Sequence, residues 1–206
     1  MIRFDAKELR TATPTNKALQ KIKKNPIYII LDDVLDTYNV GAIFRLADAV
    51  AAKKVILCGQ TETPPNTRIK KASINTTEWV AWSYAPIAVG ALQELKIKND
   101  PFGKTQAVRG SEEPSGSRRG HPEQGRMDEK LKIIAIEQNP KSIPYDQVNY
   151  TFPIALVVGN ETNGISKEVL DICDQIVELP MWGVNKSLNV MVSLGIVLYE
   201  AMKQPH

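Results

Sequence analysis

The sequence IYIILDD at residues 27–33 constrains the fold of this chain more than any other stretch. The run is rich in β-branched residues and stops at two aspartates, a pattern typical of a buried parallel strand. Residues 39–52 follow as an amphipathic helix with Ile43, Ala47 and Val50 on its apolar face. Since a strand that leads directly into a helix is half of a βαβ unit, the pattern predicts a parallel sheet.

The same alternation continues along the chain, whose 206 residues suit one α/β domain. Further strands are predicted at residues 54–59, 79–84, 131–138, 154–158 and 174–179. Helices are predicted at residues 85–98, 166–173 and 188–202, with Ser166 capping the second and Ser187 or Asn185 the third. Residues 61–78 are expected to form a long polar loop. The sequence therefore predicts a mostly parallel sheet with helices on both faces.

Composition argues against several classes of protein. No apolar run reaches transmembrane length and the N-terminus lacks a signal-peptide layout, which predicts a cytoplasmic protein without a membrane partner. The two cysteines have no metal-like spacing, and the two histidines, His121 and His206, lie in a low-complexity stretch and at the last residue. We therefore expect neither a metal site nor histidine-based catalysis.

Positive charge is concentrated in the N-terminal half. Residues 1–26 are predicted to form a basic arm, a polar helix broken at Thr13-Pro14, ahead of a domain at residues 27–206. The candidate RNA-binding residues are Lys17, Lys21, Lys23 and Lys24 of the arm, with Arg68, Lys70 and Lys71 farther along. These segments are either solvated protein faces or contacts for an anion such as RNA, and the arm either packs on the sheet or touches RNA.

Residues 99–130 are rich in Gly, Pro, Ser and mixed charge, with almost no core-forming residues. We expect a disordered insertion whose deletion leaves the fold and cofactor binding intact. The alternative is a segment that becomes ordered on RNA through Arg109, Arg118, Arg119 and Arg126.

Three segments combine a predicted strand end or helix start with Gly, Asn and a charged residue, at residues 36–45, 158–164 and 179–189. Ligands of parallel α/β sheets gather at the carboxyl ends of strands, so these segments are expected to meet there. Neither a GxxxxGK[ST] phosphate loop nor a GxGxxG turn that opens a helix occurs, which disfavours nucleotide hydrolysis and conventional dinucleotide binding.

The same three segments carry a family resemblance. NxGAxxRxADA at residues 39–49, LVVGNExxGIS at 156–166 and LPMxGxxxSLNV at 179–190 resemble, in order and spacing, the signature motifs of the SpoU (TrmH-like) RNA methyltransferases of the SPOUT class. The resemblance extends from residue 27 to the C-terminus, apart from the insertion. One departure is Met191, where many relatives have a small residue; we expect it to pack in the helix or at a dimer contact.

The resemblance implies a C-terminal deep trefoil knot, a homodimer, and transfer of the methyl group of S-adenosylmethionine to a ribose 2′-hydroxyl of tRNA or rRNA. It implies catalytic roles for Arg45, Asn39, Glu161, Ser187 and Asn189. It places the cofactor against Leu156, Val158, Gly159, Leu179, Met181, Gly183, Ser187 and Leu188. The nearly all-round apolar helix at 188–202 also needs a covering surface, which favours a partner subunit.

Because a guanidinium holds its proton up to a pKa of about 12 or above, Arg45 is expected to stabilise charge or bind phosphate rather than act as a base. Two alternatives remain open. A SPOUT enzyme that methylates a base would fit the cofactor pocket but not the Asn39/Arg45 motif. A catalytically silent RNA-binding member would not need the five catalytic residues together.

Overall fold

The protein is described by a computed structural model over residues 3–99 and 130–204. The strands are β1 (Asn25–Asp32), β2 (Ala52–Cys58), β3 (Trp82–Ala85), β4 (Lys132–Ile136), β5 (Ile143–Pro144), β6 (Ile154–Gly159) and β7 (Gln175–Glu178). The helices are α1 (Ala6–Leu9), α2 (Asn16–Gln20), α3 (Thr37–Ala49), α4 (Thr67–Ser73), α5 (Ala88–Lys98), α6 (Lys167–Leu170) and α7 (Val190–Ala201). The interpretation of residues 99–130 as an insertion falls almost wholly outside the described residues.

The strands form one seven-stranded sheet in the order β3-β2-β1-β6-β4-β7-β5. Every neighbouring pair is parallel, so the predicted parallel sheet is confirmed. β1 and β6 lie side by side at its centre, with Asp32 opposite Gly159 at their carboxyl ends. This pairing brings together two of the three predicted site segments, which are far apart in sequence.

Helices cover both faces, as predicted. On β1, Ile27, Ile29 and Leu31 belong to the core that contains apolar residues of α3, α4 and α7. Tyr28 and Ile30 belong to the opposite core, with residues of α5 and α6. Successive strand residues point to opposite faces, so a strand buried on both sides is apolar throughout.

Helix α4 lies where the sequence predicted a polar loop. Asn66 caps it by accepting hydrogen bonds from the backbone N–H groups of Arg68 and Ile69. The helix packs closely on α3 at Gly41, where an added Cβ would lie 2.5 Å from the Cβ of Ala72 and 2.7 Å from the carbonyl oxygen of Ile69. The glycine of the first motif is therefore required by helix packing.

The helix caps also differ from the predictions. Helix α7 begins at Val190, and its cap is Asn189 rather than Ser187 or Asn185. Ser166 precedes α6, but its hydroxyl donates to the Asp32 carboxylate at 2.6 Å and makes no capping bond. The short strand β5 was not predicted, because a two-residue strand has no periodicity to detect.

The described part of the arm consists of α1 and α2 on either side of Thr13-Pro14, where the break was predicted. No helix among the described residues is long and apolar enough to cross a membrane. The trefoil knot stays a prediction.

Candidate functional site at the carboxyl edge of the sheet

Glu161 joins the loop after β6 to the start of α3. One carboxylate oxygen accepts from the backbone N–H of Leu35 at 3.1 Å. The other accepts from the backbone N–H of Asp36 at 3.1 Å and from Nδ2 of Asn39 at 2.9 Å. Both oxygens of the carboxylate therefore hold the first turn of α3 in place.

Asn39 carries this connection on to the third motif. Its Oδ1 accepts from Nδ2 of Asn189 at 3.0 Å, and Oδ1 of Asn189 accepts from the backbone N–H of Met191 at 3.0 Å. Asn39 is only 6% exposed, so its amide has little access to water as an alternative partner. We call this chain of contacts the Glu161–Asn39–Asn189 network; it joins all three motif segments.

The network sets the charge state of Glu161. Partial burial of the carboxyl raises its pKa, but hydrogen bonds from Asn39, Leu35 and Asp36 favour the charged form and leave the pKa below its usual value. Glu161 is therefore an anion at neutral pH and acts as a hydrogen-bond acceptor rather than as a proton donor.

The loop that carries Glu161 is tightly braced. Oδ1 of Asn160 accepts from the backbone N–H groups of Thr162 and Asn163, each at 2.9 Å, and its Nδ2 donates to the carbonyl of Asp33 at 2.9 Å. A Cβ at Gly159 would clash with the backbone of Gly164. The GNExxG spacing of the second motif thus describes a turn that can close only with glycine at its start.

Glu137, at the end of β4, braces the same turn from the other side. Its Oε2 accepts from the backbone N–H of Ile165 at 2.9 Å, and Gly164 beside it has a φ of +70°. A Cβ at Gly164 would also clash with this carboxylate. The sequence reasoning did not select Glu137 as a site residue, although its position just after a strand was the available signal.

A cavity of about 430 Å³ opens beside the network, between the ends of β4, β6 and β7 and the segment that leads into α7. Its walls are Ile136, Glu137, Gln138, Val158, Gly159, Asn160, Glu161, Thr162, Gly164, Val177, Glu178, Leu179, Met181, Asn185, Ser187, Leu188, Asn189, Val190 and Ser193. Ten of these nineteen residues are polar or charged and seven are apolar, so the cavity offers hydrogen-bonding groups as well as apolar walls for a small molecule.

The structure places six of the eight predicted cofactor residues on this cavity: Val158, Gly159, Leu179, Met181, Ser187 and Leu188. Leu156 is fully buried in the core, and its side chain does not reach the cavity wall. Gly183 lies off the cavity in open space, since an added Cβ there would meet nothing within 4 Å. The residues that the sequence reasoning missed include Glu137, Asn160 and Ser193.

Four of the five predicted catalytic residues lie in the network or on the cavity wall, and Arg45 lies apart from them. Asn39, Glu161 and Asn189 form the network, and Ser187 lines the cavity with its backbone N–H donating to Oδ1 of Asn185 at 3.3 Å. Arg45 lies six residues after Asn39 on α3, about 9 Å farther along the helix axis. Its side chain is exposed and makes no hydrogen bond or ion pair within residues 3–99 and 130–204.

The predicted RNA-binding residues are exposed with one exception. Lys17, Lys21 and Lys23 are exposed on or after α2, and Arg68, Lys70 and Lys71 are exposed on α4. Lys24 differs, because its Nζ is buried with no hydrogen-bond partner among the described residues. Burial lowers the pKa of Lys24, and nearby Asp48 opposes the shift. Lys24 is thus the one member of the predicted set whose ammonium group is not at the surface, and RNA binding by the set stays a prediction.

Comparison with known proteins assigns the family. The model of the SpoU rRNA Methylase family matches residues 26–114 and 124–199. The chain belongs to the SpoU family. A tRNA (guanosine(18)-2′-O)-methyltransferase of Aquifex aeolicus is 30% identical over 192 residues, which cover 91% of this chain and 74% of that protein.

Solved structures of RNA-modifying enzymes share the fold. A crystal structure of the A. aeolicus TrmH/SpoU tRNA modifying enzyme gives a TM-score of 0.67 at 27% identity, over 97% of this chain and 81% of that one. The AdoMet-bound rRNA methyltransferase of Sinorhizobium meliloti gives 0.64 at 24% identity, over 95% of this chain and 59% of that one. At the latter identity the likeness concerns the fold alone.

Proposed function

We propose that this SpoU protein transfers the methyl group of S-adenosylmethionine to a ribose 2′-hydroxyl of tRNA or rRNA. The observation that carries the proposal is the Glu161–Asn39–Asn189 network, which holds three motif segments at one cavity. The A. aeolicus relative, named for 2′-O-methylation of a tRNA guanosine, supports the reaction class. Its name does not specify the RNA on which this chain acts.

The cavity fits the cofactor in size and lining. Its volume of about 430 Å³ lies within the range of small-molecule sites, roughly 300–1,000 Å³. Leu179, Met181 and Leu188 offer apolar walls, while backbone groups beside Gly159 can read an adenine edge. When bound, the sulfonium supplies an already activated methyl group, so the protein needs only to align the 2′-oxygen and assist loss of its proton.

Asn39 and Glu161 act as positioning residues in this scheme. Three N–H donors hold the Glu161 carboxylate against the start of α3 and favour its charged form, which supports a positioning role over proton donation. Asn39 fixes Asn189 at the N-terminus of α7, beside Ser187 and Leu188 on the cavity wall. The network therefore sets the position of the segment that contacts the cofactor.

Arg45 is the proposed contact to the RNA at the reacting nucleotide. Its guanidinium is exposed, so its five N–H donors are open to a phosphate or to the developing 2′-oxyanion. Arg45→Lys keeps the charge but loses the bidentate fork, and we expect kcat to fall about 10- to 100-fold with cofactor affinity unchanged. Near-normal turnover of this variant at saturating RNA would contradict the bidentate role.

The function itself is tested in two steps. Calorimetry measures S-adenosylmethionine binding, and transfer of a labelled methyl group to bulk tRNA and ribosomal RNA is then followed by nucleoside analysis. A 2′-O-methylated nucleoside is the expected product. A methylated base would favour a base-methylating SPOUT enzyme, and cofactor binding without transfer to any RNA would favour a silent RNA-binding protein.

The assembly and the domain division belong to the same proposal. A homodimer would cover the apolar residues that α7 and the preceding segment leave exposed, among them Trp182 and Tyr199. The basic arm of residues 1–26 and the methyltransferase domain of residues 27–206 would both bind RNA. We place the protein in the cytoplasm, where tRNA and ribosomes reside.

A further inference from the structure

We propose that Asn75 fastens the N-terminal arm to helix α4, so that the arm and α4 form one continuous surface for the phosphates of the RNA substrate. The inference rests on the proposed function, because it assigns a binding surface to the same substrate. Asn75 belongs to none of the three motifs and lies away from the cofactor cavity. Its role would be that of a positioning residue, acting through the basic residues on either side of it.

The contact itself is specific. Asn75 is 8% exposed, and its Nδ2 donates to the carbonyl of Leu9 at 3.0 Å and to the carbonyl of Ala12 at 2.9 Å. Leu9 is the last residue of α1, where a helix leaves its last carbonyl groups without partners, and Ala12 lies in the break before α2. The side chain of Asn75, in the turn after α4, thus supplies hydrogen bonds to carbonyl groups more than 60 residues away in sequence.

The backbone at this turn adopts an unusual conformation. Ile74 has a φ of +51° and Asn75 a φ of +69°, both in the left-handed region. A β-branched residue such as Ile74 rarely occupies this region, whereas Asn does so more readily. The turn directs the Asn75 amide toward the arm and leads into Trp79, whose ring centroid lies 5.3 Å from that of Phe4. Two independent contacts therefore hold the arm at the same place.

Both parts joined by this contact carry exposed positive charge. Exposed basic residues lie on both parts: Arg3, Lys7, Arg10, Lys17, Lys21 and Lys23 on the arm, and Arg68, Lys70 and Lys71 on α4. None of them pairs with a carboxylate among the described residues, whose ion pairs involve Lys96, Lys98 and Lys203 instead. The two acidic residues of the arm, Asp5 and Glu8, form the capping box of α1.

Such a cluster of unpaired positive charges favours an anionic partner, and RNA is the polyanion that the proposed reaction requires. Helix α4 also connects the arm to the helix that carries Asn39 and Arg45. Helix α4 contacts α3 at Gly41, two residues after Asn39, so α4 bridges the arm and the helix that carries Arg45. Arg10, between the two carbonyls that Asn75 binds, becomes a further RNA-contact residue by this geometry.

The test compares Asn75→Gly with the wild-type protein in RNA binding at several salt concentrations, using bulk tRNA and ribosomal RNA fragments. Gly accepts the positive φ but removes the amide that holds the arm. We expect affinity at low salt to fall about 10- to 100-fold, and the slope of log K against log salt to decrease by about 2–3, since each lost phosphate contact removes about 0.7–0.9. Cofactor affinity should not change.

A double-mutant cycle separates this role from a general structural one. Neutralising the arm with Arg10→Gln, Lys17→Gln and Lys21→Gln should weaken RNA binding in the wild-type background but have little further effect with Asn75→Gly. Neutralising Lys70 and Lys71 to Gln should weaken binding in both backgrounds. Asn75→Asp keeps the side-chain shape but cannot donate a hydrogen bond, so it should behave like Asn75→Gly. Agreement between these two variants would show that the effect does not come from a folding defect of one of them.

Protease cleavage of the arm reports docking independently of RNA. Faster cleavage in Asn75→Gly together with the lower salt slope is the expected result. A wild-type salt slope in Asn75→Gly, or equal effects of the arm substitutions in both backgrounds, would overturn the inference while leaving the proposed function standing. No RNA binding by the wild-type protein at any salt concentration would overturn both.

Discussion

Asn39 shows how much of the site depends on the orientation of one amide. Its Nδ2 donates to Glu161 and its Oδ1 accepts from Asn189, so only one of its two flipped orientations satisfies both neighbours. Asp at position 39 could accept from Asn189 but would place a second carboxylate beside Glu161. The asparagine of the first motif is thus fixed by the polarity of its neighbours.

Glu161→Gln tests the network at its charged end. A neutral amide keeps the shape but offers one acceptor where the carboxylate has two, and its NH₂ group would face a donor. Hydrogen bonds to charged groups are worth about 1.5–3 kcal/mol, so we expect methyl transfer to fall about 10- to 100-fold. Turnover assays at saturating cofactor measure this, and unchanged turnover would show that the network does not set the reacting geometry.

The same residue predicts a pH dependence of stability. The pKa of folded Glu161 lies below its ordinary value of 4.5. A depressed pKa stabilises the fold above the unfolded pKa, and this contribution is lost as pH falls through the lower folded value. Denaturation between pH 5 and pH 3 should therefore show a steeper loss of stability in the wild-type protein than in Glu161→Gln. Parallel curves would contradict the shift.

Asn189→Asp separates two roles of one side chain. Asp caps a helix as well as Asn does, so the stability of α7 should change by less than about 1 kcal/mol. The donor to Oδ1 of Asn39 is lost, however, and we expect kcat/KM to fall at least about tenfold. Asn189→Ser, another good cap without the amide, is the control. If both variants retain full activity, the contact with Asn39 does not matter for turnover.

The three motifs lie at predicted strand ends, which indicated that their segments meet at one edge of the sheet. The resemblance to the SpoU family then singled out Asn39, Glu161 and Asn189 within these segments. Motif spacing could not assign their roles. The catalytic role expected of Glu161 stays a prediction; the structure adds that its carboxylate accepts from three N–H donors of α3 and of the loop before it. Asn75 was missed because it acts through backbone groups of a distant segment, which leaves no local pattern. For Glu137 the only local signal was its position just after a strand.

At the scale of single elements, α4 is the main difference between expectation and structure. Its seven residues span about two turns, too short for a clear apolar period, and Pro64-Pro65 just before it favoured a loop. Asn66 was the available signal of a helix start, since its side chain caps α4. Burial of Ile69 against α3 stabilises a helix that local propensity alone would not.

Gly41→Ala tests whether α4 must touch α3. The added methyl group would overlap Ala72 and the Ile69 carbonyl, and overpacking of this kind typically costs about 1–3 kcal/mol. Chemical denaturation should show that loss, together with weaker RNA binding because α4 carries Arg68, Lys70 and Lys71.

Gly90→Ala is the matched control on α5. A Cβ at Gly90 would meet nothing within 4 Å, so the substitution should stabilise the protein by up to about 1 kcal/mol through helix propensity. If Gly41→Ala were equally harmless, α3 and α4 would not need their close approach.

At the scale of the whole molecule, the parallel sheet and its two helical layers followed from the alternation of apolar runs and amphipathic segments. The strand order could not be predicted, because the local sequence of β1 does not specify pairing with β6 rather than with β4. Long-range order of this kind is decided by which buried faces fit together.

The proposed dimer is tested by Tyr199→Asp. Val192 and Tyr199 lie seven residues apart on the same side of α7, at 39% and 56% exposure. A buried charge at a subunit contact is costly, so this variant should sediment as a monomer where the wild-type protein sediments as a dimer. Ile97→Asp, at an apolar position on α5 that is 74% exposed, should leave the assembly unchanged. A wild-type monomer would contradict the dimer.

The Glu161–Asn39–Asn189 network also constrains when, during folding, this protein becomes active. Its two side-chain hydrogen bonds join residues 122 and 150 positions apart, so each closes most of the chain into a loop. Contacts of such long range form late, because burial of the apolar faces of the sheet must first offset the entropy cost of closing the chain. Cofactor affinity should therefore recover at the end of refolding, whereas helical content recovers earlier.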